Sequence, residues 1–360
     1  MVVAVAETRR ARRQETPMVF VRAIVSAYEK YGADPAAALA SARITPAQLR
    51  RPHGRIDSDQ LEQLSSAAMQ ELDDEALGWF SRRLPWGTYG MLCRASLGAP
   101  TLGSALRRWC RHHRLLTDDL LLTFTPETVA GAVGARLSIE ERGAPGRLGT
   151  MASASEVREF SLLTTLRYVQ GYACWLINSR LPLREVTFPF AAPGHERVYS
   201  LLFPGPVRFG ARSASMLVEG RYLAIAPRRD ERALNKMLRR ALPLTVRPYQ
   251  RDRFLVERVR QQLVETSAAS APATGVAVAA ALHLSVRSLH RQLACEGAAL
   301  QTLKDEMRQQ RATELLRRTS LPIKQVALAA GYASEKSFAR AFRQWTGESP
   351  SEHRSTFDDR

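Results

Sequence analysis

With 360 residues, 45% of them hydrophobic and 24% charged, the chain has the composition of a soluble, core-forming protein with room for two domains. That composition confines disorder to the ends. The formal net charge of +17 points to a polyanionic partner, because Lys and Arg placed on phosphates displace condensed counterions.

Charge alone does not locate the partner's site. Residues 271–360 carry 13 Lys and Arg against 9 Asp and Glu, whereas Arg228 to Arg260 holds 11 against 4. The four cysteines (Cys93, Cys110, Cys174, Cys295) are scattered, as expected of thiols in a reducing cytoplasm. Cys110, His112 and His113 form the one cluster with metal-ligating side chains. Adjacent histidines point about 100° apart on a helix, a poor arrangement for joint ligation, and neither a metal nor a cofactor is expected. The start MVVAVA precedes an Arg cluster, the reverse of a secretory signal. No run approaches the ~20 apolar residues of a membrane span. The expectation is a cytoplasmic protein.

Residues 1–16 read as a disordered basic tail. From Pro17 to about Leu116 the pattern is helical: FVRAIVSAYEKYG stops at Gly32, Asp34-Pro35 starts another helix, and Thr101 caps LGSALRRWCRHHRLL with Leu102, Leu106, Trp109 and His113 on one face. Two strands follow, with Leu120, Leu122 and Phe124 alternating, then Val129 to Ile139, and Pro126-Glu127 as the expected hairpin turn. Glu156–Ser179 reads as a long helix that is apolar nearly all round. Shorter strands are expected at Val186–Phe190, Val207–Phe209 and Met216–Val218. The result is an α+β domain with a small, mostly antiparallel sheet over 17–225. A basic helical connector, roughly Asp230–Thr266, runs into SAASAPATG, so that 226–272 is read as connector and linker. Residues 273–360 read as all-α.

Three stretches of that last region carry the chemistry. In VAAALHLSVRSLHRQLACEG, Val278, Ala279 and Leu282 build a short helix and His283 takes a turn position needing φ > 0, which His tolerates better than most residues. Ser285 caps a second helix with Leu289 and Leu293 inward and Arg287, His290 and Arg291 outward. In IKQVALAAGYASEKSFARAFRQWTG, Ile323, Val326 and Ala327 support, Gly331 turns and Ser334 caps. Phe338, Phe342 and Trp345 form a core stripe, leaving Glu335, Lys336, Arg340 and Gln344 outward. The connector ALQTLKDEMRQQRATELLRRT spans about 20 residues, roughly 30 Å of helix. That nearly matches the ~34 Å between successive major grooves on one side of B-DNA.

The two units joined by one helix, the stretch AAGYASEKSFARAFRQWTG and the ending TGESPSEHR (Thr346–Arg354) resemble the DNA-binding domain of AraC/XylS-type regulators. The resemblance implies a double helix-turn-helix that reads operator or promoter DNA. It places base contacts at Arg287, His290 and Arg291 in the first reading helix and at Glu335, Lys336 and Arg340 in the second. The neighbouring Ser288, Ser334 and Ser337 are candidates for contact with DNA, and Lys304 for a phosphate. Arg or Lys pairs with guanine O6/N7 and Glu accepts from cytosine N4, each discriminating by ~1–3 kcal/mol. Arg340 is equally suited to phosphate.

Upstream, APTLGSALRRWCRHHRLLTD (Ala99–Asp118), GTYGMLCRAS and FPGPVRFGA (Phe203–Ala211) resemble the arabinose-binding-like sensor domain found ahead of such DNA-binding domains. That resemblance implies a small-molecule effector site and dimer contacts, without naming arabinose or assigning residues. Trp86, Tyr89, Trp109, His113, Tyr168, Tyr172 and Trp175 are the aromatic and imidazole candidates for a pocket wall, with core packing as the competing role. Few acidic anchors accompany them, which favours an apolar, neutral or anionic metabolite over a cation.

The function expected is transcription regulation, as activator or repressor, with RNA polymerase and a second copy of the chain as further candidate partners. Two alternatives stay open: an enzyme with a DNA-binding appendage, and a DNA-binding protein that needs no effector. Gly-x-Ser-x-Gly, His-Glu-x-x-His, phosphate-loop and dinucleotide fingerprints are all lacking, so no catalysis is expected.

Overall fold

Gly32 ends the first long helix by adopting a left-handed conformation (φ 66°), the geometry that costs glycine least. This helix, α1 (Met18–Tyr31), follows the two-residue strand β1 (Thr16–Pro17), which pairs with β2 (Arg55–Ile56). Between them lie α2 (Ala36–Ser41) and α3 (Pro46–Leu49). Capping boxes at Thr45 and Asp57 start α3 and α4 (Ser58–Glu71). The computed structural model describes residues 16–129, 131–143, 150–227, 229–246, 249, 252–268 and 274–358, and the chain divides between Asp252 and Arg253 into two units. The tail expected over 1–16 lies outside the described residues except for Thr16.

The first unit continues with α5 (Thr88–Leu97) and α6 (Leu102–His113), whose Thr101 cap accepts from the Ser104 backbone N–H. On α6, Leu102, Leu106, Trp109 and His113 are all buried, as their spacing predicts. A five-stranded sheet follows, ordered β3-β4-β7-β5-β6: β3 (Leu120–Val129), β4 (Ala132–Glu141), β5 (Leu183–Thr187), β6 (Val207–Arg208) and β7 (Ala214–Glu219). Only β5 and β6 pair in parallel. The hairpin turn is not at Pro126-Glu127. Both residues lie inside β3, opposite Ala135 and Gly134, and the chain reverses beside Gly131 at φ 77°. Pro126 is tolerated because β3 is an edge strand, where a missing N–H breaks no ladder on the open side.

Ser153 and Glu156 form the capping box of α7 (Ala154–Leu176), which is buried on nearly every face. Two short helices, α8 (Arg197–Leu202) and α9 (Gly220–Leu223), flank the last strands. The basic helical stretch expected over roughly Asp230–Thr266 contains α10 (Glu231–Leu238), α11 (Pro243–Val246) and α12 (Phe254–Ala268). Pro243 starts α11 and cannot continue α10, since proline lacks the N–H a helix interior needs.

Only α12 belongs to the second unit, so that unit starts about twenty residues ahead of the boundary expected at 273. Its other helices are α13 (Gly275–Ala281), α14 (Val286–Cys295), α15 (Leu300–Arg318), α16 (Ile323–Ala329), α17 (Glu335–Thr346) and α18 (Pro350–Asp358). They bury two separate cores. Leu255, Val256, Val259 and Leu263 of α12 join Val278, Leu289 and Leu293 in one. Phe338 and Phe342 join Val326 and Ala327 in the other. The helix α15 serves both, through Leu300 and Leu303 at one end and Ala312 and Leu316 at the other. Most of the linker SAASAPATG lies outside the described residues. Its Thr274 caps α13 by accepting from the Ala277 N–H at 3.1 Å.

Candidate functional site

In the second unit, α13 and α14 are joined through His283, which takes φ 55°, and α16 and α17 through Gly331 at φ 83°. Burial of Leu289 and Leu293 fixes which face of α14 turns inward, and Phe338 and Phe342 do the same for α17. Arg287, His290 and Arg291, and likewise Glu335, Lys336 and Arg340, are therefore exposed. None of these six has a hydrogen bond or ion pair within the described chain.

The two helices begin alike. Ser285 accepts from the Ser288 N–H at 3.1 Å, and Ser334 from the Ser337 N–H at 3.2 Å. In the shared frame Ser-x-x-Ser, Arg287 corresponds to Lys336 and Arg291 to Arg340. This repeat was legible in the sequence, as SVRSLHR against SEKSFAR, but hydrophobic periodicity alone does not reveal it. The hydroxyls of Ser288 and Ser337 are occupied by the caps, at 2.9 Å from Ser285 Oγ and 2.8 Å from the Ser334 carbonyl. Lys304 differs from these six exposed residues in being half-buried on α15, where burial and then the neighbouring Arg308 depress its pKa.

The first unit contains a cavity of about 270 Å³. Of the candidate residues, Trp86, Tyr89, Trp109, His113 and Tyr168 line it together. Tyr89 meets Trp109 edge-on at 5.6 Å and leans on Tyr168 at 5.5 Å. Tyr172 and Trp175 do not reach the wall. Tyr172 packs behind Trp109 at 4.9 Å with its hydroxyl donated to the Cys93 carbonyl, and Trp175 stacks behind Tyr172. Both serve as core.

Other wall residues escaped sequence reasoning because a loop brings them in. Asp74 is fully buried, and its carboxylate accepts from the backbone N–H groups of Ala76, Gly78 and Leu84 and from the Tyr31 hydroxyl. That one side chain shapes the turn carrying Trp79, Phe80 and Leu84 to the cavity. Glu75 accepts from Gly87 N–H at 2.8 Å and Tyr89 N–H at 2.5 Å, at the start of α5. Burial raises the Glu75 pKa, against the pull of those two bonds. Burial alone holds His113 down to about 4, so its imidazole is neutral at neutral pH.

Residues 32–226 match the family described as the arabinose-binding domain of AraC transcription regulators, and residues 278–356 match a helix-turn-helix domain. The chain belongs to the AraC family of transcription regulators. It is thus a DNA-binding regulator with an arabinose-binding-like domain ahead of a helical DNA-binding region. Similar AraC-type proteins include the ornithine utilization regulator of Pseudomonas aeruginosa, 28% identical over 339 residues (94% of this chain, 96% of that protein). The regulator VirS of Mycobacterium tuberculosis is 26% identical over 333 residues, 90% of this chain and 92% of that one. The crystal structure of CdpR from P. aeruginosa aligns at 24% identity with a TM-score of 0.34, over 89% of this chain and 96% of that chain. Among the described residues of this AraC-type regulator, no helix is long and apolar enough to cross a membrane.

Proposed function

We propose that the pairs α13–α14 and α16–α17 are two helix-turn-helix units that bind double-stranded operator or promoter DNA together, one reading helix in each of two successive major grooves. The observation that carries this reading is the matched register of α14 and α17: equivalent exposed cations, Arg287 with Lys336 and Arg291 with Arg340, on helices capped in the same way. The helix α15 has 19 residues, about 28 Å of rise. With a core at each end it is a stiff spacer, of a length close to the ~34 Å groove repeat. Arg287, His290, Arg291, Glu335, Lys336 and Arg340 are assigned to base edges, Arg340 also suiting phosphate. Ser288, Ser334 and Ser337 hold the helix starts against the backbone, and Lys304 contributes to phosphate binding.

The first unit senses a small-molecule effector in its cavity, with Trp86, Tyr89, Trp109, His113 and Tyr168 in the wall. Leu238 to Leu242 and Thr245 also line that cavity, and the second unit begins eight residues after Thr245, at Arg253. Effector occupancy shifts the fraction of chains able to bind DNA, and contacts with RNA polymerase or a second copy carry the signal onward. The protein acts in the cytoplasm and catalyses no reaction.

Footprinting with and without effector extracts of the producing cells tests both parts. The expectation is protection of two adjacent major-groove segments on one face of the duplex, with occupancy that responds to the extract. Protection confined to a single groove segment would overturn the paired reading.

A further inference from the structure

Apart from Arg239, the charged groups around the first unit's cavity are already committed. Glu62 pairs with Arg240 at 2.6 Å, Arg94 pairs with Glu231 at 2.7 Å, and both Glu75 oxygens take backbone N–H groups of the α5 start. Arg239 is exposed to solvent. What remains inside is polar but uncharged. Trp79 Nε1 and His113 Nδ1, on side chains 5% and 6% exposed, have no hydrogen-bond partner, and neither has Tyr89 Oη. Rings of Trp79, Phe80, Tyr89, Trp109 and Tyr168 supply most of the remaining wall.

We propose that the cavity selects an uncharged, largely aromatic or apolar molecule whose hydrogen-bond acceptor meets Trp79 Nε1 or Tyr89 Oη. The inference rests on reading the cavity as the effector site. At about 270 Å³, and ~30 Å³ for a water-sized group, there is room for about nine non-hydrogen atoms. A cation would need a free carboxylate, and Glu75 can provide one only by releasing the N–H groups that seat α5. An anion would find its one unpaired cation among the described lining residues, Arg239, on the solvent-exposed side, since Arg94 and Arg240 are paired. An ion seated against the buried Trp79 and His113 leaves its charge without a counter-charge, at a cost of several kcal/mol. The neutral His113 adds no positive charge to the wall at neutral pH.

Benzamide, benzoate and benzamidine are nearly equal in size and shape and differ in charge. Each is titrated into the full chain by calorimetry, with tryptophan fluorescence as a second readout. Benzamide is expected to bind at least about tenfold more tightly than either ion, the smallest effect of an uncompensated buried charge. Trp79→Phe keeps a ring and loses the donor, so it should weaken benzamide by about fivefold. Ser66→Trp, which fills the cavity from α4, should abolish binding. If benzoate or benzamidine binds best and Ser66→Trp removes that binding, the charge inference falls and the effector site stands. If none of the three binds, or binding survives Ser66→Trp undiminished, both fall.

Discussion

Arg167 Nε donates to the carbonyl oxygen of Thr245 at 2.8 Å, and its Nη2 to that of Leu244 at 3.0 Å. A third bond reaches the Leu202 carbonyl at 2.9 Å. A buried guanidinium on α7 thus fastens the segment that walls the cavity and precedes the second unit. Among the described residues no carboxylate balances it, and burial lowers its pKa to about 10, which still leaves it charged at neutral pH.

Replacing Arg167 by Met relieves the buried charge but orphans three backbone carbonyls, each worth about 1–3 kcal/mol when buried without a partner. The second effect wins, and the expected net loss is about 2–4 kcal/mol in urea unfolding of the full chain. Arg167→Lys should not restore the loss, because an ammonium cannot present a planar fork to three carbonyls. Stability unchanged in Arg167→Met would show that the strap is held by other contacts.

Gly171 tests the same strap from the opposite side. A Cβ there would lie 2.5 Å from the Leu244 carbonyl oxygen, backbone against backbone, with no flexible side chain to give way. Gly171→Ala is expected to cost about 1–3 kcal/mol as overpacking and to weaken the response of DNA binding to effector. A variant as stable and as responsive as the parent would refute the close approach.

His113 gives the first unit an acid sensitivity whose sign is fixed. Its pKa is about 4 in the folded chain against an ordinary 6.5, so the unfolded chain takes up the proton first. This contribution is complete above pH ~6.5 and is lost as pH falls toward ~4, by about 3 kcal/mol in all. Melting temperature measured from pH 7 to pH 4.5 should fall more steeply for the parent than for His113→Leu. Parallel curves would mean that the imidazole is solvated on protonation.

What the sequence revealed follows from how local the cause is. The left-handed turn at His283, the caps at Ser285 and Ser334 and the end of α1 at Gly32 depend on one or two neighbouring residues, and all were readable. The outward faces of α14 and α17 followed from Leu289, Leu293, Phe338 and Phe342. The Pro126 turn failed because a proline signals a turn only when the strand's open edge is ignored, and edge position is decided by β4 pairing with β7 elsewhere. Asp74 and Glu75 were invisible for a similar reason. Their partners are backbone groups up to 14 residues away and the Tyr31 hydroxyl 43 residues away, and nothing in composition or period marks them. Tyr172 and Trp175 share a face with Tyr168 closely enough to look alike in sequence, and only packing separates wall from core.

The proposed pair of helix-turn-helix units makes different demands on Arg291 and Lys304. Arg291 is exposed on α14 with no partner in the described chain, while Lys304 is half-buried on the spacer α15. Arg291→Ala is expected to cost about 1–3 kcal/mol on the specific operator and to relax preference at one base pair. Lys304→Ala should weaken all sequences about equally and reduce the salt slope by about 1. Competition of operator variants against random duplex, repeated across salt concentrations, separates the two. Since Arg340 occupies the position in α17 that Arg291 has in α14, Arg340→Ala should relax a base about one helical turn away if both helices read bases alike. A uniform loss from Arg340→Ala beside a base-specific loss from Arg291→Ala would leave the second helix holding the backbone and the first one reading.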